Sequence, residues 1–290
     1  ANTAVGYKSL LVNVDGDFST AIGYQTLYSQ TGTAGTVGNT AVGHRSSYTI
    51  STGANVTSMG YYSGYHNATG TLNTYIGFQT GRGASGGNAS YNTAVGANAL
   101  YDIAGGSRNV AIGVGALSDI TTGEYNVAVG YSANAASQDV DTSVFIGYEA
   151  GSANVTTADA NGTVAIGKQA LRMLTTGQYN TAIGFEAGLT LTDLDKNTLI
   201  GYQAGKALSG SAGGGTQTHI GYKAGASNTT GNSNTFVGSE AGTSTTVGLQ
   251  NTAMGRGALA TADGGESNNV AIGMFAMNLV NNNSSNDNVV

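Results

Sequence analysis

The residues Asn2-Thr3-Ala4-Val5-Gly6 form a five-residue phrase that recurs along the whole chain of 290 residues. Ten of the fifteen intervals between successive phrase glycines are 17 residues, and the others are 18 to 20. A short fixed period is typical of solenoids, whose units bury their apolar faces only against neighbouring units. The sixteen phrase glycines are Gly6, Gly23, Gly43, Gly60, Gly77, Gly96, Gly113, Gly130, Gly147, Gly167, Gly184, Gly201, Gly221, Gly238, Gly255 and Gly273.

The period predicts an all-β fold, a parallel β-solenoid of about sixteen 17-residue coils that forms a single domain over residues 1–290. Positions within a coil are counted here from its phrase glycine, which is position 0. Positions −3 and −1 hold β-branched or aliphatic residues, two apart, as in a strand. We expect both positions to face the core. Position −2 is usually Ala, and we expect it to face outward or toward another chain.

Composition narrows the class of protein. The chain has 47 Gly and no Pro, 40% hydrophobic residues and only 9% charged residues, which is unlike collagen and unlike most disordered chains. A formal net charge of −6 opposes binding to phosphate backbones, so no nucleic-acid partner is expected. No apolar run is long enough to cross a membrane, and membrane insertion is not expected either.

Position −4 is Asn in eleven coils. Asparagine tolerates turn geometry, and identical amides stacked about 4.8 Å apart can hydrogen-bond along a ladder. We predict an asparagine ladder at one corner of the coil. Its members are Asn2, Asn39, Asn73, Asn92, Asn109, Asn126, Asn180, Asn197, Asn234, Asn251 and Asn269.

Three further features recur after the phrase glycine. Position +1 is commonly aromatic, which predicts stacked rings one coil apart. Position +3 is always small, and the residues around it suggest a second short strand. The insertions that lengthen five coils fall near residues 33–37, 84–89, 153–161, 207–214 and 262–266, and we expect loops on one edge there.

The phrase in forms such as Asn109-Val-Ala-Ile-Gly113 and Asn180-Thr-Ala-Ile-Gly184 resembles the repeat of the head domains of trimeric autotransporter adhesins. The longer form Asn197-Thr-Leu-Ile-Gly-Tyr-Gln-Ala-Gly205 is similar to repeats in phage tail fibres. The resemblance covers the whole chain, although the adhesin repeat is nearer fourteen residues.

This resemblance implies a non-enzymatic structural fibre or adhesin shaft that attaches to a host or another surface. It also implies a homotrimer, host-surface glycans or receptors as partners, and a place in the virion or outside the cell. Ala and Gly invite close approach of another backbone, so we expect the Ala column or the small column at position +3 to lie between the chains. No catalytic residue and no cofactor is implied.

Three Asp-x-Asp pairs fall at positions −8 and −6 of their coils. Two carboxylates on one side of a turn are candidate Ca²⁺ ligands, or an acid and a base for glycan cleavage. The simpler interpretation is a solvated corner that tolerates charge, because the pairs are in separate coils. The pairs are Asp15 and Asp17, Asp139 and Asp141, and Asp193 and Asp195.

Two other functions are compatible with a solenoid. Regularly spaced threonines on a flat outer face order water in an ice-binding protein, but threonines that share a face with Val and Ile would lie inside. A β-helical polysaccharide lyase or hydrolase needs clustered basic and acidic groups, whereas ten Lys and Arg are scattered over sixteen coils. His44, His66 and His219 occupy unrelated coil positions, which opposes a metal site or a catalytic triad.

The two ends of the sequence resemble the interior of the array. Ala1 directly precedes a phrase, and Asn288-Val289-Val290 matches the first three residues of a seventeenth phrase. Because solenoids normally cap the open edge of their last coil, we expect further coils or other domains on both sides in the full protein.

Overall fold

The protein is described by a computed structural model over residues 1–32, 35–153, 160–209, 216–261, 265–278 and 287–290. Within these ranges the secondary structure consists of short β-strands and turns, without a helix. The chain divides into two compact units, Ala1–Thr142 and Ser143–Val290. The single domain over residues 1–290 stays a prediction.

Each of the eight phrases in the first unit forms a three-residue strand, and two additional short strands pair with each other. The phrase strands pair in parallel in chain order, each with the next. The strands are β1 Thr3–Val5, β2 Gly16–Asp17, β3 Thr20–Ile22, β4 Gly35–Thr36, β5 Thr40–Val42, β6 Thr57–Met59, β7 Thr74–Ile76, β8 Thr93–Val95, β9 Val110–Ile112 and β10 Val127–Val129.

The second unit repeats this arrangement with its own eight phrase strands, again parallel and paired in chain order. They are β11 Val144–Ile146, β12 Val164–Ile166, β13 Thr181–Ile183, β14 Thr198–Ile200, β15 Thr218–Ile220, β16 Thr235–Val237, β17 Thr252–Met254 and β18 Val270–Ile272.

The register of the sheets follows the phrase. In every pair, each strand position lies beside the same position of the neighbouring coil, so that Thr181 pairs with Thr198 and Ile183 with Ile200. Parallel strands about 17 residues apart, without a helix in the described chain, confirm the predicted parallel β-solenoid.

The structure reverses the predicted faces of the strand. The Ala column at position −2 is buried, as Ala21, Ala111 and Ala182 show with no exposed surface, while Ile112 at position −1 is 41% exposed. Alternation with a period of two places neighbouring residues on opposite faces but does not say which face is inside. Positions −3 and −1 therefore do not form the core, and the prediction that they do is wrong.

The prediction that the Ala column or the small column lies between chains is also wrong. Ala99, Ala116 and Ala187 at position +3 are fully buried inside their own units, as is the Ala column. A side chain without accessible surface in its own chain cannot contact a second one. The narrow interior accounts for both columns, because only small groups fit between the two sides of a coil.

The interior is filled by compensation between positions −2 and +4 of the same coil. Where position −2 is Ala94 or Ala111, position +4 is Leu100 or Leu117. Where position −2 is large, position +4 is glycine. The large residues with their glycines are Tyr75 with Gly81, Phe145 with Gly151, Leu199 with Gly205, His219 with Gly225 and Phe236 with Gly242.

The contacts at these glycines show why the exchange is required. A Cβ at Gly81 would lie 2.3 Å from the ring of Tyr75, and one at Gly242 would lie 2.5 Å from the ring of Phe236. Distances this short are overlaps. Where position −2 is large, position +4 therefore has no room for a side chain. The converse does not hold, since Ala182 and Gly188 share a coil, and Leu171 and Leu199 of the neighbouring coils fill the space at Gly188.

The segment after the phrase glycine is a turn, so the predicted second strand is wrong. Residues at positions +2 and +4 have left-handed backbone, as Asn98 with φ 57° and Leu100 with φ 52° show. The N–H of Asn98 donates to Phe78 O of the preceding coil, and that of Leu100 donates to Ala116 O of the next. Hydrogen bonding between coils thus continues without strand geometry, and it compensates a strain of roughly 1–2 kcal/mol per residue.

The phrase glycine itself is required by both backbone and space. Gly113 has φ +134°, and a Cβ there would lie 2.3 Å from the carbonyl oxygen of Gly130 in the next coil. The other phrase glycines of the first unit are equally crowded by their successors, for example Gly6 by Gly23 O at 2.3 Å. The repeat glycine therefore sets the distance between coils.

The predicted asparagine ladder is present and buried. The backbone N–H of Asn109 donates to Asn92 Oδ1 at 2.9 Å, and the N–H of Asn126 donates to Asn109 Oδ1 at 3.0 Å. The Nδ2 of Asn109 donates to Gly123 O at 2.8 Å. Each side-chain amide thus satisfies two backbone groups of the following coil, and the backbone N–H of the same residue bonds to the amide of the preceding coil. Equivalent bonds join Asn180 to Asn197 and Asn234 to Asn251 to Asn269.

One of the predicted insertion loops is fully described. Residues 84–89 form a turn in which Gly87 N–H donates to Ala84 O at 3.0 Å, and Gly87 bridges to Asn67. The other four insertions fall wholly or partly outside the described residues, because positions 33–34, 154–159, 210–215 and 262–264 are not described.

Candidate interaction surface

The outward face of each sheet carries a stripe of aliphatic and threonine side chains. In the first unit Ile22, Met59 and Ile112 at position −1 are each about 40% exposed, and threonine or valine at position −3 lies beside them, partly buried. We call positions −3 and −1 of the phrase strands the strand face. Contiguous exposed apolar surface of this kind marks an interaction site more often than a solvated face.

An aromatic column borders the strand face at position +1, as the sequence predicts. In the first unit the rings are stacked one coil apart, with centroids 4.9–5.4 Å from each other. The column comprises Tyr7, Tyr24, His44, Tyr61 and Phe78 in the first unit, and Phe185, Tyr202 and Tyr222 in the second.

The aromatic column is interrupted in the first unit by Ala97 and Val114, and a groove of about 400 Å³ opens there. Tyr101 lies in the coil before that of Val114 and Gly115, and Tyr131 lies in the coil after it. We call this the Tyr101–Tyr131 groove. The repeat pattern did not predict this groove, because its lining extends from Gln79 to Ser132 and depends on how far the side chains of neighbouring coils reach.

Polar side chains complete the lining of the groove. Gln79, Asn98 and Ser132 occupy position +2 of their coils, and Ser118 lies at position +5. The Oδ1 atom of Asn98 is buried and has no hydrogen-bond partner. An unsatisfied buried acceptor costs about 1–3 kcal/mol, and this atom has almost no accessible surface through which an outside donor could reach it.

In the second unit, position +2 is closed by side chains that bond across coils. Gln203 Nε2 donates to Glu186 Oε2 at 2.9 Å, and Lys206 Nζ lies 2.7 Å from the same oxygen. The hydrogen bonds from Lys206 and Gln203 hold the pKa of Glu186 below its ordinary value. These bridged side chains cover the surface that the Tyr101–Tyr131 groove leaves open in the first unit.

Asp139 and Asp193 lie at bends, whereas Asp17 lies in strand β2, and one member of two Asp-x-Asp pairs bonds to backbone. Asp141 Oδ1 accepts the N–H of Glu124 at 2.6 Å, and Asp195 Oδ1 accepts that of Gln178 at 2.7 Å. In each case the donor is position −6 of the preceding coil. The carboxylate thus continues the hydrogen bonding between coils at this corner.

Three of the remaining four aspartates have side-chain contacts. Asp17 Oδ1 lies 3.3 Å from the amino terminus of Ala1, and Asp139 and Asp193 accept bonds from Thr122 and Thr192. No described residues form a group of three or more His, Cys, Asp or Glu that could hold a metal ion. Calcium binding by Asp15 and its counterparts stays a prediction.

The three histidines lie in different environments. His44 is a member of the aromatic column, and burial together with Arg82 lowers the pKa of His66. His219 is fully buried at position −2, where its ring stacks on Phe236 with centroids 4.9 Å apart and neither nitrogen has a hydrogen-bond partner. Burial lowers the pKa of His219 to about 3. This histidine therefore fills the core as a neutral ring.

Comparisons with protein-family models, with curated proteins and with solved structures found no match to this chain. Within the described ranges, no helix is long and apolar enough to cross a membrane. The interaction surface is consequently interpreted from its own geometry.

Proposed function

We propose that the protein is a structural fibre or adhesin shaft, of a phage tail fibre or a cell-surface appendage, that assembles as a homotrimer and mediates attachment without catalysis. The observation that carries the proposal is the strand face. It repeats the same apolar side chains in every coil, including Ile146, Ile183 and Ile272 of the second unit, each more than a third exposed. Its side chains carry no charge.

A second copy of the same chain is the partner that this face fits best. Its side chains are spaced by the coil repeat of about 4.8 Å, and only a surface with the same repeat would match them over many coils. Burial of apolar surface contributes about 25 cal/mol per Å², so small contacts add up along the array. Closed symmetry then limits the assembly, and a trimer follows the fibre resemblance.

Light scattering on the purified protein tests the assembly. The unchanged chain is expected to contain three copies per particle. Ile183→Lys places a charge on the strand face and is expected to yield single chains, whereas Thr176→Lys, at an exposed turn position of the same coil, is expected to remain trimeric. A monomeric parent at micromolar concentration contradicts the proposed trimer. Binding of the intact assembly to host cells and to a glycan array tests the attachment function.

One observation favours a second candidate function, ice binding. The threonines at position −3 lie on the outward face instead of inside, which removes the objection raised by the sequence. They follow one another in consecutive coils, as Thr181, Thr198, Thr218, Thr235 and Thr252 do in the second unit. Thermal hysteresis that is lost in Thr198→Tyr supports this function, and a parent protein without hysteresis excludes it.

A further inference from the structure

We propose that the Tyr101–Tyr131 groove binds one uncharged pyranose ring of a surface glycan. The proposal deepens the attachment function and rests on it, because it names the class of ligand and the residues that take it. Its observations are independent of the strand face: a local gap in the aromatic column, two flanking tyrosines, and an uncharged polar lining.

The shape of the groove favours a flat ring. Tyr101 and Tyr131 belong to coils two repeats apart, so their backbones are separated by about 9–10 Å along the stack. The intervening coil contributes Val114 and Gly115, which are shorter than the aromatic and amide residues at the same positions elsewhere. A gap one coil wide between two aromatic side chains accommodates a flat ring. Small-molecule sites range over about 300–1,000 Å³, and the observed volume of about 400 Å³ suits one or two sugar rings.

The lining of the groove has the chemical groups that a sugar ring requires. A pyranose ring combines apolar C–H faces with hydroxyl groups at its edge, and it is bound where aromatic rings and a few fixed polar groups occur together. The amide of Gln79 and the hydroxyl of Ser132 can each donate a hydrogen bond to a sugar hydroxyl or accept one from it. Ser118 is already engaged, since its Oγ donates to Ala135 O at 2.8 Å.

The charges at the groove favour a ligand without a carboxylate. All eight residues of the lining are uncharged. A carboxylate, that of Asp119, contacts the lining, since its Oδ1 accepts a bond from Ser118 Oγ at 2.9 Å. The nearest positive group that contacts the lining is Arg82, whose Nη1 donates to the hydroxyl of Tyr101 at 2.9 Å. That bond holds the tyrosine in place and engages the guanidinium. A neutral sugar is therefore favoured over a sialic acid.

The groove uses coil positions that the proposed contact between chains does not use. The groove is lined by positions +1, +2 and +5, while the proposed contact between chains uses positions −3 and −1. A trimer formed through the strand face and a sugar in the groove therefore use different coil positions. Repetition of the site in three chains would raise the avidity for a multivalent surface well beyond that of one ring.

A substitution at Gly115 can fill the groove while the fold is preserved, and it therefore tests the proposal. A Cβ at residue 115 would meet only Ser132 Oγ, at 3.6 Å, which is ordinary contact. The left-handed backbone of Gly115, with φ 67°, is already occupied by Gln25 and Gln79 at the same position of other coils. Gly115→Gln is therefore expected to fold normally and to occupy the gap. Glu240→Gln places the same side chain at position +2 of a coil outside the groove and is the matched control.

The probes are the methyl glycosides of glucose, mannose, galactose and N-acetylglucosamine, with the methyl glycoside of N-acetylneuraminic acid as the charged comparison. Saturation-transfer NMR with the full chain is expected to show at least one neutral glycoside binding with a dissociation constant on the order of 1 mM. Gly115→Gln is expected to weaken that binding by about tenfold or more, and Glu240→Gln not at all.

Each outcome decides the proposal. Absence of binding by all four neutral glycosides overturns it, and so does binding that survives in Gly115→Gln or that prefers the sialic acid glycoside. Circular dichroism of each variant, matched to the parent, shows that a loss of binding is not a loss of fold. Host-cell attachment that persists in Gly115→Gln rejects the groove and leaves the attachment function intact, whereas a parent that attaches to no cell rejects the attachment function.

Discussion

The fold constrains the side chains on the two faces of the phrase strand in different ways. The inward residue at position −2 varies from Ala111 to Tyr75 to His219, and each large residue there is matched by glycine at position +4 of the same coil. The outward residues at positions −3 and −1 vary little from coil to coil. Inside, residue identity changes within a fixed space; outside, β-branched and aliphatic residues recur. This recurring outward face is the basis of the proposed contact between chains.

The largest expected effect comes from breaking a matched pair inside. Tyr75→Ala leaves a cavity and is expected to lower the free energy of unfolding by about 3–5 kcal/mol. Gly81→Leu overlaps the ring of Tyr75 and is expected to cost about 1–3 kcal/mol or more. The double variant recreates the pair formed by Ala94 and Leu100, and it is expected to recover more than half of the summed loss. Denaturant titration of all four proteins measures the coupling, and additive losses would contradict the compensation.

The buried histidine gives the next largest effect. Between its ordinary pKa of 6.5 and its folded pKa of about 3, the unfolded chain binds a proton at His219 that the folded chain does not. Stability is therefore full above pH 6.5 and falls as the pH decreases, by about 1.4 kcal/mol per pH unit from this group. His219→Leu is expected to reduce that slope in urea titrations between pH 7 and 4.5.

Leu199 supplies the reciprocal control, because it occupies the same strand position in the preceding coil. Leu199→His is expected to add a similar slope over the same pH range. Equal pH dependence in the parent and both variants would show that this position does not hold a neutral buried ring.

A smaller effect is expected from the asparagine ladder. Asn109→Val removes the acceptor for the backbone N–H of Asn126 and the donor to Gly123 O. Valine itself fits, since Val56 occupies position −4 in another coil. The loss is expected to be about 1–3 kcal/mol from the buried groups left without partners. Asn88→Val, at an exposed position outside the ladder, is the control and should change thermal unfolding little; equal losses would contradict the role of the ladder.

The smallest effect is expected in a comparison of two adjacent residues of β9, one on the inward face and one on the outward face. Ala111→Val adds two methyl groups to the closed interior and is expected to destabilise a single chain by about 1–3 kcal/mol. Ile112→Val removes one exposed methyl group from the strand face and is expected to change single-chain stability by less than about 0.5 kcal/mol. The measurement requires chains kept apart by Ile183→Lys. A reversed order of the two effects would contradict the assigned faces.

The repeat in the sequence was sufficient for the sheet, its register and the asparagine ladder, because all three depend on identical residues one period apart. It was insufficient for the choice between inside and outside. Position −2 was expected to face outward because it accepts side chains as different in size as Ala111 and Tyr75, and positions −3 and −1 were expected to be buried because they hold β-branched or aliphatic residues. The deciding signal was present in the sequence: Tyr75, Phe145 and Phe236 each precede a glycine by six residues, which is required only if both point inward.

The turn after the phrase glycine and the Tyr101–Tyr131 groove depend on backbone conformation and side-chain reach, which the repeat pattern in the sequence does not show. The turn after the phrase glycine needs left-handed backbone at Leu27 and Leu100, a conformation that leucine rarely adopts and that only bonds between coils stabilise. The Tyr101–Tyr131 groove exists because Ala97, Val114 and Gly115 are short together, so its detection requires three coils to be placed side by side.

The uniform register has a consequence for inheritance. The N–H of Thr93 donates to Asn109 O and that of Val110 to Asn126 O, so every coil offers the same donors and acceptors to its neighbours. Unequal crossing-over between two copies of the repeat in the gene would remove or add 17 codons at a time and join coils that already match. Such a gene can change the length of its product in single genetic events, without a period of selection for new contacts at the junction.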